Sequence, residues 1–404
     1  DLEISDTQFS YLMGLSFAVF YTFFGIPIGR LADSISRRGL IVSGLVFWSV
    51  MTAGCGLASR YWHFLALRMG VGIGEASLSP AAYSMISDSF PRHRLATAIS
   101  VYSMGIYLGT GLSYVFGGLV VRWIGAKPNL AVPFIGEMRS WQIVFVALGL
   151  PGLAMALVFV TVKEPIRRGV RRIATKRGER ASVVSVSAVG AYLSHNWKTL
   201  VCHNVGFALL SLSSYGTTSW IPAFFHRTHG WEAADVGVIY GAIVALFGTS
   251  GIVFGGWLAD RIGTTASKMY VGLLAALIWV PTGVAYPLVP SGTASMLLLV
   301  PTVFFVAMPF GVAPAAIQEM MPNPMRGQAS AIYLFIVNLI GLGLGPSAIA
   351  WVTDFGFRDE AMVGYSILIV TTTAHAASVI LLWLGIKHFR QSTHRRDEWE
   401  ATQG

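Results

Sequence analysis

The chain has 404 residues, of which 54% are hydrophobic and only 12% are charged. Soluble domains carry about 25% charged residues, so this composition excludes a soluble globular protein of this length. The formal net charge of +9 would suit a nucleic-acid-binding protein, but the positions of the basic residues favour another explanation. Cys55 and Cys202 both lie in apolar runs, which predicts buried core residues and neither a disulfide framework nor a metal site.

Apolar runs of about twenty residues or more recur along the whole chain, and each is long enough to cross a hydrocarbon core of about 30 Å. Transmembrane strands are about ten residues of alternating character, which these runs are not, so we predict an all-α membrane protein. The eleven predicted spans are 9–31, 39–58, 61–87, 95–121, 141–162, 199–225, 236–258, 269–289, 294–320, 328–352 and 361–386.

Lysine and arginine concentrate in alternate loops, which predicts that those loops are cytoplasmic. Such loops contain Arg37, Arg38, Arg92, Arg94, Arg261, Lys268 and Arg326, and the basic C-terminal tail joins them. Residue 1 then lies outside and the C-terminus inside. We therefore expect one more helix before residue 1 in the intact protein, twelve in all with the first missing here; a true eleven-span protein is the alternative. The basic excess is a topology signal, and no nucleic-acid partner is expected.

Residues 163–195 form a strongly basic stretch in the middle of the chain. We interpret it as a cytoplasmic linker between two halves, either an amphipathic helix on the anionic leaflet or an anchor of the positive-inside kind. The predicted organisation is an N-terminal bundle over 1–162, the linker, a C-terminal bundle over 196–387 and a cytoplasmic tail over 388–404.

The two halves share short motifs. GRLAD at 29–33 returns as GWLAD at 256–260, and PAA at 80–82 returns at 314–316. The pattern Asp88-x-x-Pro91 returns as Glu319-x-x-Pro322. These repeats indicate two related helical bundles.

Several motifs resemble those of the major facilitator superfamily. GRLADSISRR at 29–38 resembles the loop signature after the second helix, although Ser34 replaces a usual arginine; the second copy keeps it as Arg261. RMGVGIGEASLSPAA at 68–82 resembles the fourth-helix motif, and the glycines at 105, 109 and 111 resemble the fifth-helix signature without its central proline. The resemblance implies the major facilitator fold of two six-helix bundles, which works by alternating access.

Within that superfamily the chain is similar to the Spinster family, which is linked to lysolipids and sphingoid phosphates. Residues 68–88, AISVYSMGI at 98–106 and WIPAFFHRTHG at 220–230 carry this similarity. Related organic-anion carriers share much of the pattern, so they stay an alternative.

Arg68 and Glu75 lie inside the predicted span 61–87. A charge at the bilayer centre costs about 2.5–3.5 kcal/mol, so both should face the bundle interior or a wet cavity. Seven residues place them on nearly one helix face, about 10 Å apart along the axis, and Arg68 leans away from Glu75. We predict that Arg68 holds an anionic headgroup and that Glu75 contributes to substrate binding and takes up a proton. A structural polar network is the alternative.

Further residues complete the predicted site. The other substrate-binding candidates are Tyr215, Trp220, Phe305 and Asn338, for which helix packing is the alternative role. In this superfamily, charges at the cytoplasmic helix ends hold the inner side closed; the alternative role is capping and topology. The predicted gating residues are Gly29, Asp33, Arg37, Arg38, Asp88, Arg94, Asp260, Arg261, Glu319 and Arg326.

We therefore predict a secondary active transporter of an amphipathic anionic lipid, a lysophospholipid or a sphingoid phosphate, coupled to protons. A small organic-anion carrier, for example of sugar acids, and a lipid-binding membrane sensor are the alternatives. The sequence shows no nucleophile–base pair or metal-ligand cluster, so no enzyme activity, cofactor or metal is expected. We expect a monomer in a bacterial inner membrane.

Overall fold

Apolar helices make up most of the computed structural model. It describes residues 16–124, 129–132, 136–167, 172–175, 178–181 and 186–403. Among the described residues, seven helical stretches are long and apolar enough to cross a membrane: Arg37–Cys55, Leu95–Gly117, Ala233–Ile262, Ser267–Ala285, Gly292–Met320, Asn323–Phe357 and Glu360–Thr402. Two shorter apolar helices, Val19–Ala32 and Leu148–Val160, overlap two further predicted spans, 9–31 and 141–162. The predicted helical class is confirmed, whereas the count of eleven spans stays a prediction.

Backbone contacts divide the chain into two units. The first unit comprises Asp1–Ser89, Trp123–Ser185 and Asn323–Phe335. Its helices are α1 (Ser16–Ser34), α2 (Arg37–Cys55), α3 (Tyr61–Glu75), α4 (Leu78–Ser89) and α6 (Ser140–Val160), together with the first part of α14 (Arg326–Val337). Ser36 caps α2, because its Oγ accepts a hydrogen bond from the Gly39 N–H.

The second unit comprises Phe90–Arg122, Val186–Pro322 and Ile336–Gly404. Its helices include α5 (Leu95–Ile124), α7 (Val186–His195), α8 (Trp197–His229), α9 (Ala233–Ile243), α10 (Thr249–Ile262), α11 (Ser267–Ala285), α12 (Gly292–Ala307), α13 (Pro309–Met320), α15 (Gly345–Trp351) and α16 (Val363–Gln403). Three π-helical segments, Val244–Gly248, Asn338–Leu344 and Val352–Phe357, interrupt these helices. The predicted bundle boundaries stay a prediction, since the contacts place α5 with the second unit and residues 323–335 with the first.

Two predicted spans are each divided into two helices. Span 61–87 consists of α3 and α4, and span 294–320 consists of α12 and α13. In the first, the Ser77 hydroxyl donates to the Gly74 carbonyl and so competes with the helical backbone bonds. In the second, the break precedes Pro309, which has no N–H to donate and is suited to a first helical position.

The breaks give the internal repeat its register. The helices α3 and α12 begin at residues 61 and 292, α4 and α13 at 78 and 309, and the two following 3-10 turns at 92 and 323, so each pair is 231 residues apart. Asp88 and Glu319 obey this offset. Pro80 and Pro314 are three residues out of it, about one helical turn, so the PAA repeat does not mark equivalent positions.

The polar segments contain structure that the apolar runs do not predict. Two short antiparallel hairpins are present, β1 (Asn129–Val132) with β2 (Gly136–Arg139), and β3 (Arg172–Thr175) with β4 (Gly178–Ala181). The second hairpin and α7 both lie in the predicted linker.

The predicted C-terminal tail is the end of α16, a helix of 41 residues and therefore about 60 Å long. Its end packs on the start of α8 in the same unit. There the Ser392 hydroxyl donates to the Asn196 side chain at 2.7 Å and bonds with the Thr199 hydroxyl at 2.7 Å.

Candidate functional site

In the first unit, Arg68 lies two turns before the end of α3 and Glu75 is its last residue. The Arg68 guanidinium carbon lies 5.5 Å from the centre of the Phe17 ring on α1, close enough for a cation–π contact. Both charged side chains are partly exposed within the protein. The predicted facing of an interior or wet region and the predicted roles of both residues stay predictions.

Alternate glycines let the neighbouring helices approach α3 closely. A Cβ on Gly72 would lie 2.7 Å from the Phe17 carbonyl oxygen of α1, and one on Gly74 would lie 2.8 Å from both Cβ and N of Trp48 on α2. No side chain fits at either place without moving a backbone. The glycine run before Glu75 therefore brings α1 and α2 against the charged helix.

A buried charge cluster joins α2, α4 and the segment after α6. The Arg37 guanidinium lies 2.5 Å from the Asp88 carboxylate, and both side chains are fully buried. It also donates to the Ser84 hydroxyl and to the Pro165 carbonyl, each at 2.9 Å. Glu164 lies 3.4 Å away on its other side. One guanidinium thus binds groups from two segments and joins both to its own helix α2, which its five fixed donors allow.

Glu164 is held mainly by hydrogen bonds at the N-terminus of α2. Its carboxylate accepts from the Ser36 hydroxyl at 2.6 Å and from the Arg37 backbone N–H at 2.9 Å. Partial burial opposes ionisation, but these two bonds and the Arg37 charge together lower the pKa of Glu164 below its usual value of 4.5.

The remaining gating candidates of the first unit differ in their surroundings. Asn323 donates to Asp88 at 3.1 Å, and Arg326, which is buried, donates to the Ser87 hydroxyl at 3.4 Å. A Cβ on Gly29 would lie 2.5 Å from the Ala331 Cβ. Arg38 is exposed and reaches the backbone carbonyls of Val160 and Val162. The side chain of Asp33 lies outside the described residues.

The second unit holds an equivalent ion pair. The Lys268 amino group lies 2.7 Å from the Glu319 carboxylate, and these residues lie 231 positions after Arg37 and Asp88. Neither Lys268 nor Glu164 was among the predicted site residues. The offset of 231 would have identified Lys268 once the helix breaks were known, whereas no local signal marks Glu164.

Asp260 caps the first turn of α5. Its two carboxylate oxygens accept from the backbone N–H groups of Thr97 at 2.7 Å and Ala96 at 3.2 Å, where the helix dipole favours negative charge. Arg261 and Arg94 are exposed. The structure thus places Asp260 in a capping role, and its predicted part in gating stays a prediction.

The predicted substrate residues of the second unit fall into two kinds. The Tyr215 ring lies 6.1 Å from that of Phe310, and Asn338 begins a π-helical segment, a feature frequent at functional sites. Trp220 donates to the Pro346 carbonyl at 2.9 Å, and Phe305 packs edge-on against Phe304. The Trp220 contact joins α8 to α15, whereas Phe304 and Phe305 are neighbours on α12; the predicted roles of both residues stay predictions.

The Major Facilitator Superfamily profile matches residues 1–346 of the chain. An MFS-type efflux pump of Mycolicibacterium smegmatis is 27% identical, over 97% of this chain and 86% of that protein. The hexuronate transporter of Bacillus subtilis is 24% identical, over 88% of this chain and 81% of that protein.

Spinster proteins are also among the relatives. Protein spinster homolog 1 of Rattus norvegicus is 29% identical, over 58% of this chain and 44% of the rat protein, so the chain spans under half of that relative. The crystal structure of a bacterial homologue of the human lysosomal transporter Spinster, inward-facing and unoccupied, has a TM-score of 0.61 at 24% identity, covering 97% of this chain and 90% of the other. At that identity the likeness shows the fold.

Proposed function

Because this chain belongs to the major facilitator superfamily, a class of transport proteins and not of enzymes, we propose that it moves an amphipathic anion across the membrane by alternating access coupled to protons. The proposed anion is a lysophospholipid or a sphingoid phosphate. The similarity to Spinster proteins, one of them a probable sphingolipid transporter that matches 59% of this chain, supports the lipid class.

The observation that carries the proposal is the pair of charged residues on α3. Arg68 meets the Phe17 ring at 5.5 Å, and a guanidinium can stack on a ring while its planar edge donates two parallel bonds to a phosphate or carboxylate. Glu75 ends α3 beside the helix break, at a helix C-terminus, where the dipole is unfavourable for negative charge. This position suits a carboxyl group that binds and releases a proton.

The test of the anion anchor is uptake of radiolabelled lysophosphatidate into proteoliposomes by the Arg68→Ala variant. Uptake should fall at least tenfold, because loss of a charge-assisted contact removes about 1.5–3 kcal/mol of binding. Arg60→Ala, which alters an exposed arginine at the start of the same helix, should retain uptake. Normal uptake by Arg68→Ala would exclude the anchor.

The test of proton coupling is the same uptake with and without a pH gradient in Glu75→Gln. We expect the wild-type rate to respond to the gradient and the variant to have lost that response. Glu137→Gln, in the exposed hairpin strand β2, is the matched control. A gradient response retained in Glu75→Gln would contradict the assignment.

A small organic-anion carrier is the second candidate. The hexuronate transporter supports it, since the match covers 88% of this chain. Uptake of hexuronate without any lipid movement by folded protein would favour this candidate. Saturable lipid binding with no transport of either class would instead indicate a membrane sensor.

A further inference from the structure

The second unit contains a small cavity, lined by hydroxyl-bearing and apolar side chains, within an apolar core. Its volume is about 20 Å³, room for roughly one water-sized group. Six hydroxyl-bearing side chains line it: Tyr107, Ser214, Thr217, Thr218, Tyr240 and Thr302. The rest of the lining is apolar, and Trp279 and Leu299, both at most 1% exposed, contribute to it. The lining contains no carboxylate, amine or guanidinium.

The hydroxyls around the cavity retain hydrogen-bonding capacity. The Tyr107 and Ser214 hydroxyls lie 3.2 Å apart, and those of Thr218 and Tyr240 lie 3.3 Å apart. The Thr302 hydroxyl donates to the Leu298 carbonyl at 2.7 Å. Each hydroxyl has one donor and two acceptor positions, so these bonds leave acceptor positions available to a further group.

The cavity wall is held in place by close packing. A Cβ on Gly248, in the π-helical segment Val244–Gly248, would lie 2.3 Å from the Tyr107 ring. The glycine therefore makes the space that Tyr107 occupies, and the Tyr107 ring packs on Phe310 at 5.4 Å. Thr218 is partly exposed while Thr302 is 2% exposed, so the cavity extends from the partly exposed side of α8 to the buried side of α12.

The chemistry of the lining selects the occupant. A charged group would be buried without a counter-charge, which is strongly unfavourable. A methyl group would leave the remaining acceptor positions of the lining hydroxyls unused. A neutral hydroxyl matches both the size and the polarity of the space.

We infer that this cavity is a specificity subsite that receives one uncharged hydroxyl group of the transported molecule. The inference rests on the proposed function and narrows its substrate class. Lysophospholipids, sphingoid phosphates and sugar acids all carry a free hydroxyl close to the anionic group, whereas diacyl phosphatidate has none.

The test compares transport of a ligand with its hydroxyl present and blocked. The probes are lysophosphatidate with a free 2-hydroxyl and its 2-O-methyl ether, and, as a second pair, glucuronate and its single-deoxy analogues. The wild-type protein in proteoliposomes should prefer the hydroxyl form about tenfold in kcat/KM, because one unpaired buried polar group has an effect of this order.

Thr302→Val should reduce that preference to about twofold, because valine keeps the shape and removes one of the hydroxyls. Thr371→Val is the matched control: Thr371 is equally buried, and its hydroxyl also donates to the carbonyl four residues earlier at 2.7 Å. It lies outside the cavity lining and should keep the tenfold preference.

The outcomes separate the inference from the function on which it rests. Equal transport of hydroxyl and blocked forms by the wild type would overturn the subsite and leave the transporter assignment intact. An equal loss of preference in Thr302→Val and Thr371→Val would also overturn it, since the effect would then be one of packing. Uptake of neither probe class would overturn both.

Discussion

The two equivalent ion pairs of the repeat use different chemistry. In the first unit Arg37 is fully buried and contacts Asp88, Ser84, Pro165 and Glu164. In the second unit Lys268 meets Glu319, whose side chain is 15% exposed. Guanidinium has five donors in a fixed plane, whereas an amino group is a compact charge on a flexible stem. The first unit therefore joins three chain segments through one residue, and the second joins two.

Each ion pair is also contacted by a residue near the end of its own half of the sequence. In the first unit the Glu164 carboxylate follows α6 and meets the N-terminus of α2. In the second unit the Arg396 guanidinium on α16 donates to the Glu319 backbone carbonyl. The two contributions differ in place and in charge: an acid binds the helix of the cation Arg37 in the first unit, and a base binds the helix of the anion Glu319 in the second.

The largest expected effect comes from removing the cation of each pair. Arg37→Ala should lower the free energy of unfolding by about 3–5 kcal/mol, because Asp88 would keep a fully buried, unpaired charge. Lys268→Ala should lower it by only about 1–2 kcal/mol, since the Glu319 side chain is 15% exposed whereas that of Asp88 is fully buried. Thermal melting in detergent measures both. The double variant Arg37→Met/Asp88→Leu should recover most of the loss, and equal effects of the two single variants would contradict the comparison.

A smaller effect should follow from making the first unit resemble the second. Arg37→Lys keeps the charge opposite Asp88 but loses the planar donors that reach Ser84 and Pro165. We expect a loss of about 1–2 kcal/mol, the effect of one or two hydrogen bonds. The reverse change, Lys268→Arg, is the matched variant and should not be destabilising by more than about 1 kcal/mol. Indistinguishable melting of Arg37→Lys and wild type would show that the additional donors contribute nothing.

The smallest effect is a pH dependence that only the first unit should show. The pKa of Glu164 is lowered in the folded protein, so its contribution is fully present above the unfolded value of about 4.5 and is lost as the pH falls through the lowered folded value. The free energy of unfolding of the wild type should exceed that of Glu164→Gln by about 1 kcal/mol at neutral pH. This difference should vanish in acid. Ser36→Ala removes the 2.6 Å bond from the Ser36 hydroxyl to Glu164. In that background, Glu164→Gln should change the free energy of unfolding by less than it does in the wild type. A gap between wild type and Glu164→Gln that is the same at every pH would refute this explanation.

Local sequence predicted the helices better than their interruptions. Apolar runs of about 20 residues can satisfy their backbone in lipid only as helices or closed barrels, so the helical class followed directly. The break after Glu75 was missed because apolar composition is continuous through Ala76 and Leu78. At the break the Ser77 hydroxyl donates to the Gly74 carbonyl, and Pro80 in the first turn of α4 has no N–H to donate; hydropathy encodes neither.

The residues of the candidate site likewise divide into those that the sequence marks and those that it does not. Arg68 and Glu75 were identifiable because a charge in an apolar run is costly and therefore conspicuous. Ser214 and Thr302 were not, because single hydroxyls in transmembrane helices are common and usually bond to their own backbone. Their assignment to one cavity required helices α8 and α12 to be brought together.

The sequence by itself determined the membrane-embedded helical class and the existence of an internal repeat, because length, apolar content and motif spacing are local properties. Tertiary structure alone decided that Arg37 meets Glu164, 127 residues away, and that Asp88 meets Asn323, 235 residues away. It also decided the 231-residue register and the hydroxyl-lined cavity. Contacts between distant segments depend on how whole helices pack, and packing is settled by the shapes of all the side chains together.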